Sequence, residues 1–170
     1  MTTATPSKTP IASGIHASVF ARILEEGYGA GAWHGPDLKA ALSDVTPDTA
    51  FRRPAPGRHN VAEIALHHAW SVRSVIGQLT GPGPRAPDPF PMEGEDWFEL
   101  DGARGPSWPV VLDVVSAHQT KLEKTVADLG AARIDSPLSE AERFDLILGI
   151  TCHAVYHAGQ IQLVKRLLSA

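Results

Sequence analysis

The chain carries eight histidines. Two of them, His153 and His157, stand one helical turn apart on a stretch whose apolar residues Leu146, Ile150, Ile161, Val164 and Leu168 recur with helical spacing. Residues i and i+4 of a helix hold their Cβ atoms roughly 5–6 Å apart on one face, so both imidazoles can reach a single cation. Neutral imidazole is the commonest metal ligand in proteins, and the core of a helix bundle is a usual place for such a site. The alternative is a pair of core histidines satisfied by water, Tyr156 or Gln160. That arrangement is costly, because each ring nitrogen needs a partner and protonating both rings sets like charges together.

A third ligand has to come from another helix, and His67, His68 and His118 are the candidates. Adjacent helical residues diverge by about 100°, so only one of His67 and His68 can face the cation. Periodicity favours His68, which shares its stripe with Val61, Ile64, Ala65, Val72, Val75 and Leu79. His67 lies beside Ser71 and Ser74, small residues that leave room for a cavity. Three imidazoles leave a coordination position open, as in catalytic sites; a fourth protein ligand such as His68 or His118 would close it, as in structural ones. Cys152 neighbours His153 but points about 100° away from it, and it reads as a small buried residue rather than a ligand or nucleophile. His153-Ala-Val-Tyr-His157 lacks the glutamate of a metalloprotease His-Glu-x-x-His. No Glu-x-x-His pair marks a di-iron bundle, and no P-loop, dinucleotide fingerprint or Gly-x-Ser-x-Gly is present.

The elements that position these residues read as helices throughout, with no alternating strand pattern. A first helix is expected from about Ile15 to Tyr28 and a short one from about Pro36 to Ser43, with Pro36 where a helix can begin. A long helix starts at Asn60, with Glu63 completing a capping box, and ends at Gly81-Pro82-Gly83-Pro84. Another runs from Ser107, with Pro109 in its first turn, to Gly130; its seam is Val111, Val114, Val115, His118, Leu122, Val126 and Leu129. The last runs from Ser139, with Glu142 completing a second capping box, to Leu168. The connection over 81–106 is long for a compact domain and carries Phe90, Trp97 and Phe98, so it is either a lid or a loop that packs its aromatics over one end. The expected fold is therefore all-α: a four-helix bundle with a short extra helix and a long connection between its second and third long helices, in which a crossover topology is allowed. Residues 1–14 read as a disordered tail and 15–170 as one domain.

Composition narrows the function. The chain has 170 residues, 43% hydrophobic and 20% charged, with a net charge of −4. An acidic protein of this kind is a poor partner for nucleic acid or an anionic membrane. No apolar run reaches the roughly 18 residues of a membrane span, and no signal-peptide pattern opens the chain. A single cysteine excludes an internal disulfide framework and fits a cytoplasmic setting.

Three stretches carry a family resemblance: Gly31-Ala-Trp-His-Gly-Pro36, His59-Asn-Val-Ala-Glu-Ile-Ala-Leu-His67 and, most specific, His153-Ala-Val-Tyr-His-Ala-Gly-Gln-Ile161. With them the chain resembles the DinB-like (DinB/YfiT-like) family of metal-dependent four-helix bundles. The resemblance implies a divalent metal held by His67, His153 and His157, since the family pattern sets the second-helix ligand four residues after the glutamate. It also implies a homodimer. Characterised members include transferases and isomerases that use bacillithiol, mycothiol or glutathione, and others are described as metal-dependent hydrolases.

Three functions follow. The first is a metal-dependent transferase for a low-molecular-weight thiol and a small-molecule substrate, in which a cation with an open position lowers the thiol pKa. It needs no protein carboxylate as base; Gln160, Tyr156 and His68 would surround the site, and Trp33, Trp70 and Trp97 would line an apolar pocket. The second is a hydrolase using metal-bound hydroxide, for which Glu63 is the only carboxylate within a turn of the proposed ligand. The third is a non-catalytic bundle stabilised by its metal. Three imidazoles accept zinc, nickel, iron, copper or manganese, with availability deciding. The face made by Gly149, Cys152, Tyr156 and Gly159 suits close helix packing, either inside the bundle or across a dimer.

Overall fold

The computed structural model describes residues 14, 17–82, 90–94 and 96–169. Among the described residues there are six helices and no strand: α1 (Ala17–Gly27), α2 (Leu38–Leu42), α3 (Pro47–Phe51), α4 (Val61–Thr80), α5 (Trp108–Gly130) and α6 (Glu140–Ser169). None of these helices is long and apolar enough to cross a membrane. Of the tail expected over 1–14, only Gly14 is described, and it is tied down: its N–H donates to the Glu140 carboxylate at 2.9 Å. Residues 1–13 lie outside the described set.

Local chemistry explains where the helices begin. Asn60 accepts from the Glu63 N–H at 2.9 Å while the Glu63 side chain takes the Asn60 N–H, the reciprocal box that satisfies two otherwise orphaned donors. Ser139 and Glu142 repeat this at α6, with the Ser139 N–H donating to the Glu142 carboxylate at 2.8 Å and the Glu142 N–H to Ser139 Oγ at 3.3 Å. The start of α2 differs from expectation. Its cap is Asp37, whose carboxylate accepts from Lys39 and Ala40, and Pro36 precedes the helix rather than opening it. The short helix α3 was not anticipated. It has five residues, too few to show a period, and only Thr46-Pro47, a cap followed by proline at the first helical position, announces it. Gly81 ends α4 at φ 69°, in the left-handed region that glycine adopts without steric cost.

The four longer helices close into a ring in which α4 packs on α5 and α6, and α1 packs on α5 and α6. Consecutive long helices are therefore not all neighbours: α1 and α4 face each other across the ring, as do α5 and α6. α1 and α6 approach closely at Gly27, where an added Cβ would stand 3.0 Å from the Ala154 side chain and 3.2 Å from the Thr151 carbonyl oxygen.

The core has two parts. One contains Phe20, Leu24, Val72, Val75, Ile76, Leu79, Leu122, Val126, Ile147 and Ile150, drawn from the four ring helices alone. The other surrounds the first half of α4 and the second half of α6, and is roofed by α2, α3 and the segment carrying Phe98 and Leu100. The long connection thus does pack aromatics over one end. In that half every residue from Val61 to Ala69 is buried, whichever way it points. The outer face of α6 is uncovered. Gly149 and Gly159 have nothing within 4 Å of an added Cβ, and Tyr156 is 62% exposed. Cys152, expected to be buried, is exposed on this same face. The small-residue stripe therefore does not pack inside the bundle.

Candidate metal centre

The junction of the two core regions holds the histidines. α4 delivers His67 and α6 delivers His153 and His157, and each of the three offers a ring nitrogen within 4.8 Å of the other two. His153 Nε2 lies 3.0 Å from His67 Nε2 and 3.0 Å from His157 Nε2. His67 and His157 are buried, and His153 is half-buried.

What stands behind each ring determines where its protons sit. His67 Nδ1 is 3.0 Å from both the backbone carbonyl and the carboxylate Oδ1 of Asp96. His157 Nδ1 is 2.6 Å from Gln160 Oε1. These partners are oxygen acceptors, so both Nδ1 atoms carry the hydrogen, and both Nε2 lone pairs point at His153 Nε2. One proton on His153 Nε2 serves one of those lone pairs, not both. A cation accepting from all three nitrogens satisfies the set, so the residues fit a metal such as zinc, whose imidazole ligands bind about 2.0–2.1 Å away.

Charge favours the same conclusion. Burial, with the neighbouring His157 and His67 rings adding to it, pushes His153 down to about 3. Burial lowers His157 to about 4 against the opposing hydrogen bond from Gln160. Both rings are neutral near pH 7, the form that coordinates a metal.

The long connection supplies one wall. Asp96 adopts φ 67°, a left-handed conformation that Asp tolerates better than most residues. Beside it the Trp97 indole is sandwiched between His59, at 3.8 Å, and His67, at 4.0 Å, nearly parallel to both. Phe98 and Leu100 are buried. The Leu100 N–H donates to Glu63 at 3.0 Å and its carbonyl accepts from Asn60 at 2.7 Å. The connection is thus pinned to the start of α4 and lies against the histidines, which is the packing role considered for it from sequence.

Glu63 is fully used in this pinning. It is 1% exposed and accepts from Arg53, His59, Asn60 and Leu100. Among the described residues none of its hydrogen bonds reaches the clustered histidines. On its far side a cleft of about 640 Å³ is lined by Arg53, His59, Glu63, Trp97, Leu100 and Arg104.

The other sequence candidates divide. Tyr156 stands edge-on to His157, with centroids 5.2 Å apart, and its hydroxyl accepts from Gln160 Nε2 at 2.9 Å. His68 is not in the cluster; it sits behind His153, with the two Nδ1 atoms 3.2 Å apart. The helical stripe favoured His68 because it is the more buried of the pair, yet burial all round this half of α4 makes both positions interior. His118 donates from Nδ1 to the Val114 carbonyl at 2.8 Å and stays out of the cluster. Trp70 is half-buried against the core. Trp33 is 91% exposed, tethered by its backbone N–H to Glu26 at 2.8 Å, and lines no pocket at the cluster. Sequence reasoning missed Asp96 and the place of His59. Neither carries a local signal, since one lies on an aperiodic connection and the other precedes a helix whose cap already accounted for the motif.

Comparison with curated proteins gives no match, and comparison with solved structures gives none. A family model described as the DinB superfamily matches residues 32–161, a span that holds all three clustered histidines, Asp96 and Trp97. Over most of its length, and with this helical fold, the chain belongs to the DinB superfamily.

Proposed function

We propose that His67, His153 and His157 hold one divalent cation, and that the chain is a metal-dependent transferase acting through a low-molecular-weight thiol. The observation that carries the metal reading is the pair of Nε2 lone pairs, on His67 and His157, aimed at a third ring nitrogen by oxygen acceptors behind each ring. When bound, the cation would supply Lewis acidity that lowers the pKa of a thiol. Zinc, nickel, iron and manganese all suit three imidazoles. With no anionic side chain among the three donors, the proposed site would keep the cation's full positive charge, which favours a thiolate.

Glu63 supports thiol transfer over hydrolysis, because its oxygens are taken up by four partners and no base remains at that position. Trp97 would exclude water from the His67 side. The cleft beyond it, with Arg53, His59 and Arg104, would accept the polar body of the thiol, whether bacillithiol, mycothiol or glutathione. A reducing cytoplasm suits such a cofactor.

We also propose a homodimer through the outer face of α6. No Asp, Glu, Lys or Arg occurs from Leu146 to Val164, yet Leu148, Tyr156 and Leu163 on that stretch are exposed. An uncharged exposed stripe of this kind suits burial against a second copy. Light scattering would read two chains for the wild type and one for Leu163→Glu.

Metal per chain, by plasma mass spectrometry on untagged protein and on His67→Ala, His153→Ala, His157→Ala and His118→Ala, tests the centre. Near one metal per chain in the wild type and in His118→Ala, with almost none in the other three, is the expected result. A wild type that takes up no zinc, nickel, iron or manganese even on reconstitution overturns it. The loaded protein would then be screened for conjugation of each thiol to a small electrophile, and no metal-dependent rate with any of them overturns the transferase reading alone.

A further inference from the structure

We infer that His68 is a positioning residue for the metal centre: it accepts the Nδ1 hydrogen of His153 and thereby turns the Nε2 lone pair of His153 toward the cation. The inference rests on the three-histidine reading. His153 and His68 approach each other through Nδ1, 3.2 Å apart, so one ring donates and the other accepts. A neutral imidazole carries one hydrogen. If His153 offers Nε2 as a lone pair, its hydrogen is on Nδ1, and His68 Nδ1 is the acceptor. His68 then carries its own hydrogen on Nε2.

A second observation points the same way. Among the described residues His68 Nε2 finds no hydrogen-bond partner, in a side chain only 1% exposed. An unpartnered buried polar atom is destabilising, and a leucine at this position would remove that cost. The imidazole earns its place only through Nδ1. His67 has Asp96 behind it and His157 has Gln160, so His68 completes a set in which each ligand ring has its own acceptor. Such outer partners fix the tautomer and orientation of a ligating histidine.

The two neutral tautomer arrangements of the pair are separable. With His68 as donor, His153 would present Nε2–H to the other two rings and could not coordinate through that atom. Metal uptake therefore moves the His153 hydrogen from Nε2 to Nδ1 and the His68 hydrogen from Nδ1 to Nε2, by exchange with solvent, and both rings stay neutral throughout.

The test compares zinc affinity, by competition with a chromophoric chelator, for the full-length wild type, His68→Leu and His68→Asn, alongside the thermal midpoint of each metal-free protein. Leucine fills the space without an acceptor; asparagine sets an amide oxygen near the Nδ1 position. His68→Leu is expected to bind zinc about 10–100-fold more weakly with a metal-free midpoint at or above wild type, and His68→Asn to regain most of the loss. In the zinc-loaded wild type, nitrogen-15 NMR should find His68 as the Nε2–H tautomer. Wild-type affinity in His68→Leu, an equal loss in His68→Asn, or the Nδ1–H tautomer at His68 in the loaded protein overturns the assignment. Failure of the wild type itself to bind zinc or any other metal marks the three-histidine reading as the one that failed, and the positioning role goes with it.

Discussion

The two halves of the bundle are built by different rules. At the end where α1 packs, the core is Leu24, Val72, Val75, Leu79, Leu122, Val126, Ile147 and Ile150, each on the inward stripe of its helix with solvent on the other side. At the other end α4 is wrapped: α6 and α5 cover two sides, and α3, Phe98 and Leu100 cover the rest. The first half of α4 and its cap there bury Asn60, Glu63, His67 and His68 along with Leu66. The contrast shows where polar chemistry can be housed. A one-sided core admits little beyond apolar side chains, whereas a roofed segment brings backbone and side-chain partners from several elements, enough to satisfy a buried carboxylate and several imidazoles.

Truncation at each end should break the molecule differently. Glu63→Ala removes the acceptor shared by Arg53, His59, Asn60 and Leu100. It should cost about 4 kcal/mol in urea unfolding, as loss of one member of a buried charge network does, and should also weaken metal binding by releasing the connection that carries Asp96. Leu79→Ala, at the one-sided end, should cost about 3 kcal/mol and leave metal per folded chain unchanged. Equal effects of the two variants on metal content would erase the distinction.

Acid should act on the roofed end alone. His153 is held at about 3 and His157 at about 4 in the fold, against 6.5 for an ordinary imidazole, and burial also lowers His68. As pH falls below about 6.5 the unfolded chain takes up protons that the folded chain refuses, so this contribution is present above 6.5 and drains away toward 4. The urea midpoint of the metal-free protein should therefore fall between pH 7 and pH 5.5, where carboxylates do not titrate, and fall less steeply in His153→Asn. A midpoint that is flat over that range contradicts the neutral burial of these rings.

The smallest effect is expected at Trp33, whose side chain lies on the surface. Trp33→Ser should shift stability by less than about 0.5 kcal/mol and leave metal content alone. A lost metal would restore this tryptophan to the site.

Much of the fold was legible because helix signals are local. The capping boxes at Asn60 and Ser139, the Gly81 stop and the seam of α5 are each contained within a few residues. The spacing of His153 and His157 was legible for the same reason, since one turn of one helix sets it. The choice between His67 and His68 was not. A stripe argument presumes that one face is wet, and no face of the first half of α4 is. Motif resemblance pointed to His67, and the geometry brings that residue into the cluster.

By itself, then, the sequence determined an all-helical chain, its long helices and two imidazoles one turn apart, because those follow from the 3.6-residue period and from capping chemistry. Tertiary structure decided the rest. It set α1 across the ring from α4, left the Cys152 face of α6 exposed, and folded an aperiodic connection so that Asp96 and Trp97 meet His67 from 29 residues away in the chain. It also placed His68 behind His153 rather than beside it. Such pairings depend on how separate helices pack, and no short-range pattern encodes which side chains will meet across that packing.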